Sequence, residues 1–175
     1  MSSVLIILLL VAAQRLAELA YAQRNTRRLL AEGAVEIAPG HYPLFILLHG
    51  SWLVAMLLLV PSGAPINVPL LVLFVVLQLM RVWVVGTLGR FWTTRIITLP
   101  GAPLVARGPY RFVRHPNYLV VIGEIAVLPL VFGAWQIALV YSVLNLALLA
   151  WRIRAENAAL ALRRDLHGST QASAL

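Results

Sequence analysis

The chain contains no cysteine and no lysine, and charge of either sign is scarce. Without cysteine there is neither a disulfide nor a thiolate metal site to consider, and no metal is expected. Only 11% of the 175 residues are charged, 61% are hydrophobic, and the mean hydropathy is +0.88. That balance is too apolar for a soluble domain. The 14 basic side chains are all arginine and stand against 6 acids, for a formal charge of +8. In a soluble protein such a surplus points to nucleic acid. In a chain this apolar it marks helix ends that meet anionic headgroups, so membrane lipids are expected as partners and nucleic acid is not. No internal repeat, low-complexity tract or strong small-xxx-small stripe is present, and nothing separates a second domain or calls for an obligate protein partner. Residues 1–175 read as one domain, with the polar, site-forming half at about 88–165.

What is present is a set of five apolar runs, at Val4–Tyr21, Pro43–Val60, Val68–Leu88, Tyr118–Phe132 and Trp135–Trp151. Each is near the roughly 20 residues that cross a hydrocarbon core, and the fourth is the shortest. The first lacks a basic leader and a small-residue cleavage site, so it reads as a retained anchor. Arginines fall on alternate connectors: Arg24, Arg27 and Arg28, then Arg90, Arg95, Arg107, Arg111 and Arg114, then Arg152, Arg154, Arg163 and Arg164. The other ends carry no basic side chain. The positive-inside rule then gives an all-α bundle of five transmembrane helices, N-terminus outside and C-terminus cytoplasmic. Only Gly133-Ala134 divides the last two runs, which predicts a tight helical hairpin. Asn25 to His41 and Arg90 to Arg114 read as polar loops, the second lying over a pocket.

The most informative segment is Gly108-Pro-Tyr-Arg-Phe-Val-Arg-His-Pro-Asn-Tyr118, at the lip of the fourth run. Pro116 suits the first position of a helix, where an N–H has no partner to lose. Charge at the mouth of a membrane helix is expensive and is usually retained for chemistry. Past the fifth run, Trp151 to Asp165 remains strongly helix-forming, predicting a helical extension with Arg152 and Glu156 one turn apart on one face. Both clusters lie on the arginine-rich side, so the sequence predicts a shared pocket for a polar cofactor beside lipid.

Gly-Pro-Tyr-x-x-x-Arg-His-Pro-Asn-Tyr, followed after a hairpin by Arg-x-x-x-Glu, resembles the isoprenylcysteine carboxyl methyltransferase family of integral membrane enzymes. The likeness is best from Leu88 to Leu162. Trp92 to Ile97, Pro100 to Val105 and His115 to Val121 look closer to small bacterial members that methylate type III polyketide products such as alkylpyrones. The resemblance implies S-adenosyl-L-methionine as donor and a lipophilic small-molecule acceptor. It assigns cofactor contacts to Ala102, Pro103, Leu104, Val105, Tyr110, His115, Pro116, Asn117, Tyr118 and Glu156. Arg152 would face the acceptor. Two departures are visible: Glu156 is followed by Asn157 rather than a second glutamate, and Ala102 stands where a histidine often begins the upstream segment.

Plainer readings exist for each residue. Arg111 and Arg114 serve as phosphate anchors, Tyr118 as an aromatic-belt anchor, and Arg152 with Glu156 as an exposed ion pair. The resemblance moves Arg114 among the catalytic candidates. Glu124, about two turns into the fourth run, is a candidate base, a partner for an arginine, or a protonated structural group. Arg15 and Glu18 are expected to pair with each other or the bundle. His49 reads first as a structural hydrogen-bonding group and second as a residue reaching an acceptor cavity. Steroid-reductase-like proteins that bind NADPH also carry an Arg-His-Pro-Asn-Tyr unit, so a membrane reductase is the competing activity; phospholipid N-methylation is a further alternative within methyl transfer, and a non-enzymatic scaffold is the third reading.

Overall fold

The computed structural model describes residues 2–37, 39–103 and 105–172, with side chains as far as Glu156 apart from His41. Helix α1 (Ser3–Ala31) is capped by Ser2, whose hydroxyl accepts from the Leu5 N–H at 3.3 Å. It does not end with the apolar run at Tyr21 but continues through Arg24, Arg27 and Arg28, residues expected in a loop. Alanine, glutamine, arginine and leucine are strong helix formers whether or not lipid surrounds them. Asn25, a weak one, is held from outside: its Nδ2 donates to the carbonyls of Gly89 and Trp92, both at 3.0 Å.

The rest of that connector forms β1 (Val35–Ile37), which pairs antiparallel with β2 (Ile96–Thr98) of the other polar connector. Val35 faces Thr98 and Ile37 faces Ile96. Sequence reading expected irregular loops here, since three residues carry too little alternation to register as a strand. The pairing satisfies backbone groups that irregular chain beside lipid would leave open. Two ion pairs fasten the same connectors, Arg95 to Glu36 at 2.8 Å and Arg90 to Glu32.

Helices α2 (Tyr42–Leu59) and α3 (Val68–Leu88) follow, α3 capped by Asn67, whose side chain accepts from the Leu70 N–H at 3.2 Å. After the second connector come α4 (Pro116–Val131) and α5 (Trp135–Ala172). Gly133, with φ +73°, makes the left-handed turn that closes the α4–α5 hairpin. α4 packs between α3 and α5, α2 lies on α5, and α1 lies on α2. Among the described residues four helices are long and apolar enough to cross a membrane; α4, with 16 residues, is shorter, about 24 Å. Trp52, Met56, Ile125, Leu128 and Val131 fill the core away from the arginine-rich end, whereas Leu10, Leu58, Leu59 and Leu79 point outward and are well exposed. An apolar exterior around a filled core is the surface of a membrane bundle.

Candidate functional site

The arginine-rich mouth of α4 is built by a short 3-10 turn, Gly108–Arg111, set against α3. Gly108 has φ +56°, and a Cβ there would lie 2.7 Å from Thr87 Oγ1. Both the left-handed backbone and the close approach require glycine, which explains the first residue of the motif. The turn carries Tyr110 to the mouth, where burial, then the negative charge of Glu156, pushes its phenol above the ordinary tyrosine range. Pro116 is buried at the first turn of α4, behind His115. The His115 side chain does not cap the helix, which leaves the first-turn N–H of Asn117 without that partner.

Tyr118 is the centre of the cluster. Its ring stacks on His115 with centroids 5.1 Å apart and planes 15° apart. Its oxygen accepts from Arg152 Nε at 2.9 Å and donates to the Glu156 carboxylate. Glu156 also lies 3.7 Å from His115 Nδ1. Arg152 Nη1 donates to the Thr94 carbonyl at 2.8 Å, and the guanidinium covers the Phe45 ring at 5.5 Å. Four elements therefore meet at one point: α2, the β2 connector, the start of α4 and the extension of α5. Arg152 and Glu156 meet through the Tyr118 phenol, which replaces the simple exposed ion pair of the plainer reading.

The structure thus gathers Tyr110, His115, Pro116, Asn117, Tyr118, Arg152 and Glu156 at one mouth. Asn117 Oδ1 is sealed from solvent there with no hydrogen-bond partner among the described residues. Ala102, Pro103 and Val105 lie on the connector leading to the mouth, and Leu104 and the Asn157 side chain fall outside the described residues. Arg114 is exposed beside the mouth rather than within the cluster. Glu124 is elsewhere. Fully buried, it accepts from Arg15 Nη2 at 2.7 Å and from Arg81 Nη1 at 3.2 Å. Glu18 accepts from Arg81 Nε at 2.7 Å, and Gln14 bonds Gln78 at 2.8 Å. Of the readings open for Glu124, the geometry is that of a partner for arginine. His49 Nδ1 bonds the Phe45 carbonyl at 2.9 Å, as a structural histidine would.

Sequence reasoning missed Phe45 and Thr94, which flank Arg152. Phe45 is an ordinary apolar residue of the second run, and Thr94, although within the Trp92–Ile97 segment of the resemblance, contributes only a backbone carbonyl that no side-chain pattern reports.

With this geometry in view, comparison with known proteins is decisive for the family. The family model described as "Isoprenylcysteine carboxyl methyltransferase (ICMT) family" matches residues 70–162, which include the whole mouth motif and Arg152 and Glu156. The chain belongs to the ICMT family. A Bacillus subtilis (strain 168) relative, "Uncharacterized protein YpbQ", is 40% identical over 161 residues, covering 89% of this chain and 95% of the relative. An "Uncharacterized protein" of Haemophilus influenzae is 28% identical over 158 residues, covering 86% and 90%. No solved structure matches the chain. ICMT membership makes this a membrane protein of a methyltransferase family, with an all-α bundle as its fold.

Proposed function

We propose that this ICMT-family protein transfers a methyl group from S-adenosyl-L-methionine to an oxygen of a small lipophilic acceptor at the membrane. The preferred acceptor is a polyketide-derived enol or phenol, with a prenylcysteine-like carboxylate as the other chemistry in the family. The observation that carries the reading is the Tyr118 phenol, bonded at once to Glu156 and Arg152. One hydroxyl couples a carboxylate suited to a cationic donor with a guanidinium suited to an acceptor oxygen.

The residues at the mouth fit such a donor. Its ammonium or ribose hydroxyls suit Glu156, whose side chain is 30% exposed. Its carboxylate suits the open N–H at the start of α4, and its adenine suits the ring faces of Tyr110 and His115. When bound, the donor supplies an electrophilic methyl group on a sulfonium. The protein's part is to align an oxygen and exclude water, which methyl transfer needs more than acid–base machinery. Arg152 holds the acceptor oxygen, with Tyr118 and the Thr94 carbonyl fixing the guanidinium and Phe45 supporting its face. The acceptor tail stays among the helices. The alternation of arginines supports an N-terminus outside a bacterial inner membrane and a mouth on the cytoplasmic side.

Isothermal titration of the purified protein tests the donor. S-adenosylmethionine and S-adenosylhomocysteine are expected to bind and NADPH is not; binding of NADPH alone would favour a reductase, and binding of none a scaffold. Incubation with labelled donor and a lipid extract, read by mass spectrometry, identifies the acceptor. Arg152→Ala is expected to lower turnover by about 100-fold or more while donor affinity stays within about threefold. A fully active variant refutes the assigned role.

A further inference from the structure

His49 carries a nitrogen that the fold does not use. It lies on α2, one turn beyond Phe45, with Nδ1 2.9 Å from the Phe45 carbonyl oxygen. A carbonyl only accepts, so Nδ1 carries the proton of that bond and Nε2 is the nitrogen available to take another. Among the described residues Nε2 meets no hydrogen-bond or ion-pair partner, and the ring is only partly buried. Phe45 and His49, with ring centroids 6.4 Å apart, share one face of α2, and the Phe45 ring lies beneath the Arg152 guanidinium of α5. Arg152 is thus held on an aromatic ring of α2, and the imidazole with the free nitrogen stands one turn, about 6 Å, further along the same helix.

We propose that His49 Nε2 is the general base of the reaction, taking the hydroxyl proton of a neutral enol or phenol whose oxygen Arg152 holds. This rests on the methyl-transfer reading above and narrows its acceptor to a weakly acidic hydroxyl. The oxygen's electron pair forms the new O–CH3 bond, the C–S bond of the sulfonium breaks with its electrons left on sulfur, and the proton ends on Nε2. One positive charge thus passes from sulfonium to imidazolium, and a neutral thioether leaves. A carboxylate acceptor arrives already ionised and needs no such group, so a base on α2 favours hydroxyl acceptors. The charges acting on the imidazole come from Arg15 and Glu18 of α1 and Arg81 of α3. Glu124 of α4 is bonded to both of those arginines, and Arg152 of α5 lies across Phe45.

The test compares wild type with His49→Gln, which keeps an amide donor for the Phe45 carbonyl but has no basic nitrogen. Two probes share one alkyl chain, a simple phenol and a nitrophenol, the second assayed at a pH where it is largely ionised. His49→Gln is expected to lose about 100-fold or more in kcat on the simple phenol with little change in KM, and less than about tenfold on the nitrophenolate. A second readout needs no turnover. At a pH below its solution ionisation, nitrophenol bound to the wild type with S-adenosylhomocysteine is expected to show the phenolate absorbance, and nitrophenol bound to His49→Gln is not. Unchanged turnover, equal losses on both probes, or an identical chromophore in the two proteins would each overturn the proposal. If the wild type binds no donor, the methyl-transfer reading has failed separately, and the same chromophore comparison made without S-adenosylhomocysteine decides whether His49 takes a proton.

Discussion

The ion-paired layer inside the bundle and the cluster at the mouth of α4 use the same residue types, arginine and glutamate, and hold them differently. Inside, Arg15, Glu18, Arg81 and Glu124 set two positive charges against two negative ones, and no side chain is more than 14% exposed. Gln14 and Gln78 close the edge of that layer. Charge surrounded by hydrocarbon must be neutralised within the protein, and this layer does so across α1, α3 and α4. At the mouth, Glu156 is shared between a phenol and an imidazole and stays 30% exposed, while Arg152 spends two of its nitrogens on a phenol and a backbone carbonyl. The inner layer keeps Arg15 Nε, Glu124 Oε1 and Gln78 Nε2 without a hydrogen-bond partner among the described residues, but seals them from solvent. The open cluster keeps an accessible acid and a guanidinium face, which is the difference between a residue pair that holds helices and one that can bind.

The largest effect expected from this contrast is on stability. Glu124→Ala leaves Arg15 and Arg81 facing each other in the interior and should cost about 3–5 kcal/mol, read as unfolding of the purified protein in detergent. Glu156→Ala, at the partly exposed mouth, should cost less than about 1 kcal/mol by the same measurement. Equal costs would remove the distinction between the two regions.

A smaller effect, on binding, separates them in the opposite sense. Glu156→Gln keeps the shape and a hydrogen bond to Tyr118 but removes the charge. Donor affinity should fall by about 10- to 100-fold, the usual value of a hydrogen bond to a charged group, with the unfolding midpoint nearly unchanged. Titration calorimetry on the variant measures the first and thermal unfolding the second. Undiminished affinity would mean that Glu156 is a structural partner of Tyr118 and nothing more.

Much of this contrast was legible before the fold was known, for definable reasons. Hydropathy located all five helices, and Pro116 marked the start of α4, because a missing N–H is free of cost only there. The co-location of His115 and Glu156 followed from the alternation of arginines, which depends on connector charge and not on packing. The pairing of Glu124 with both Arg15 and Arg81 was not legible, since it depends on how three helices rotate about their axes. The β1–β2 pair escaped because six residues split between two connectors carry no period to read. The helical continuation past Tyr21 escaped because hydropathy reports where lipid ends, and helix propensity does not end there.

The smallest expected effect probes the charge at the mouth directly. Tyr110 lies outside the spans, and its phenol is raised above the ordinary value of about 10, first by burial and then by Glu156. A raised value means that the folded chain keeps the phenolic proton where the unfolded chain has begun to lose it. Below about pH 10 both states are protonated and Tyr110 contributes no slope; above it the unfolded state binds fewer protons, so stability falls as pH rises. Tyr110→Phe should flatten that fall relative to wild type, and Glu156→Gln should flatten it in part, because only the second cause is removed. Unfolding midpoints taken between about pH 9 and 11 give the slopes. A Glu156→Gln slope identical to wild type would mean that the carboxylate does not reach Tyr110, and the mouth would then be two separate polar groups where the geometry places one shared site.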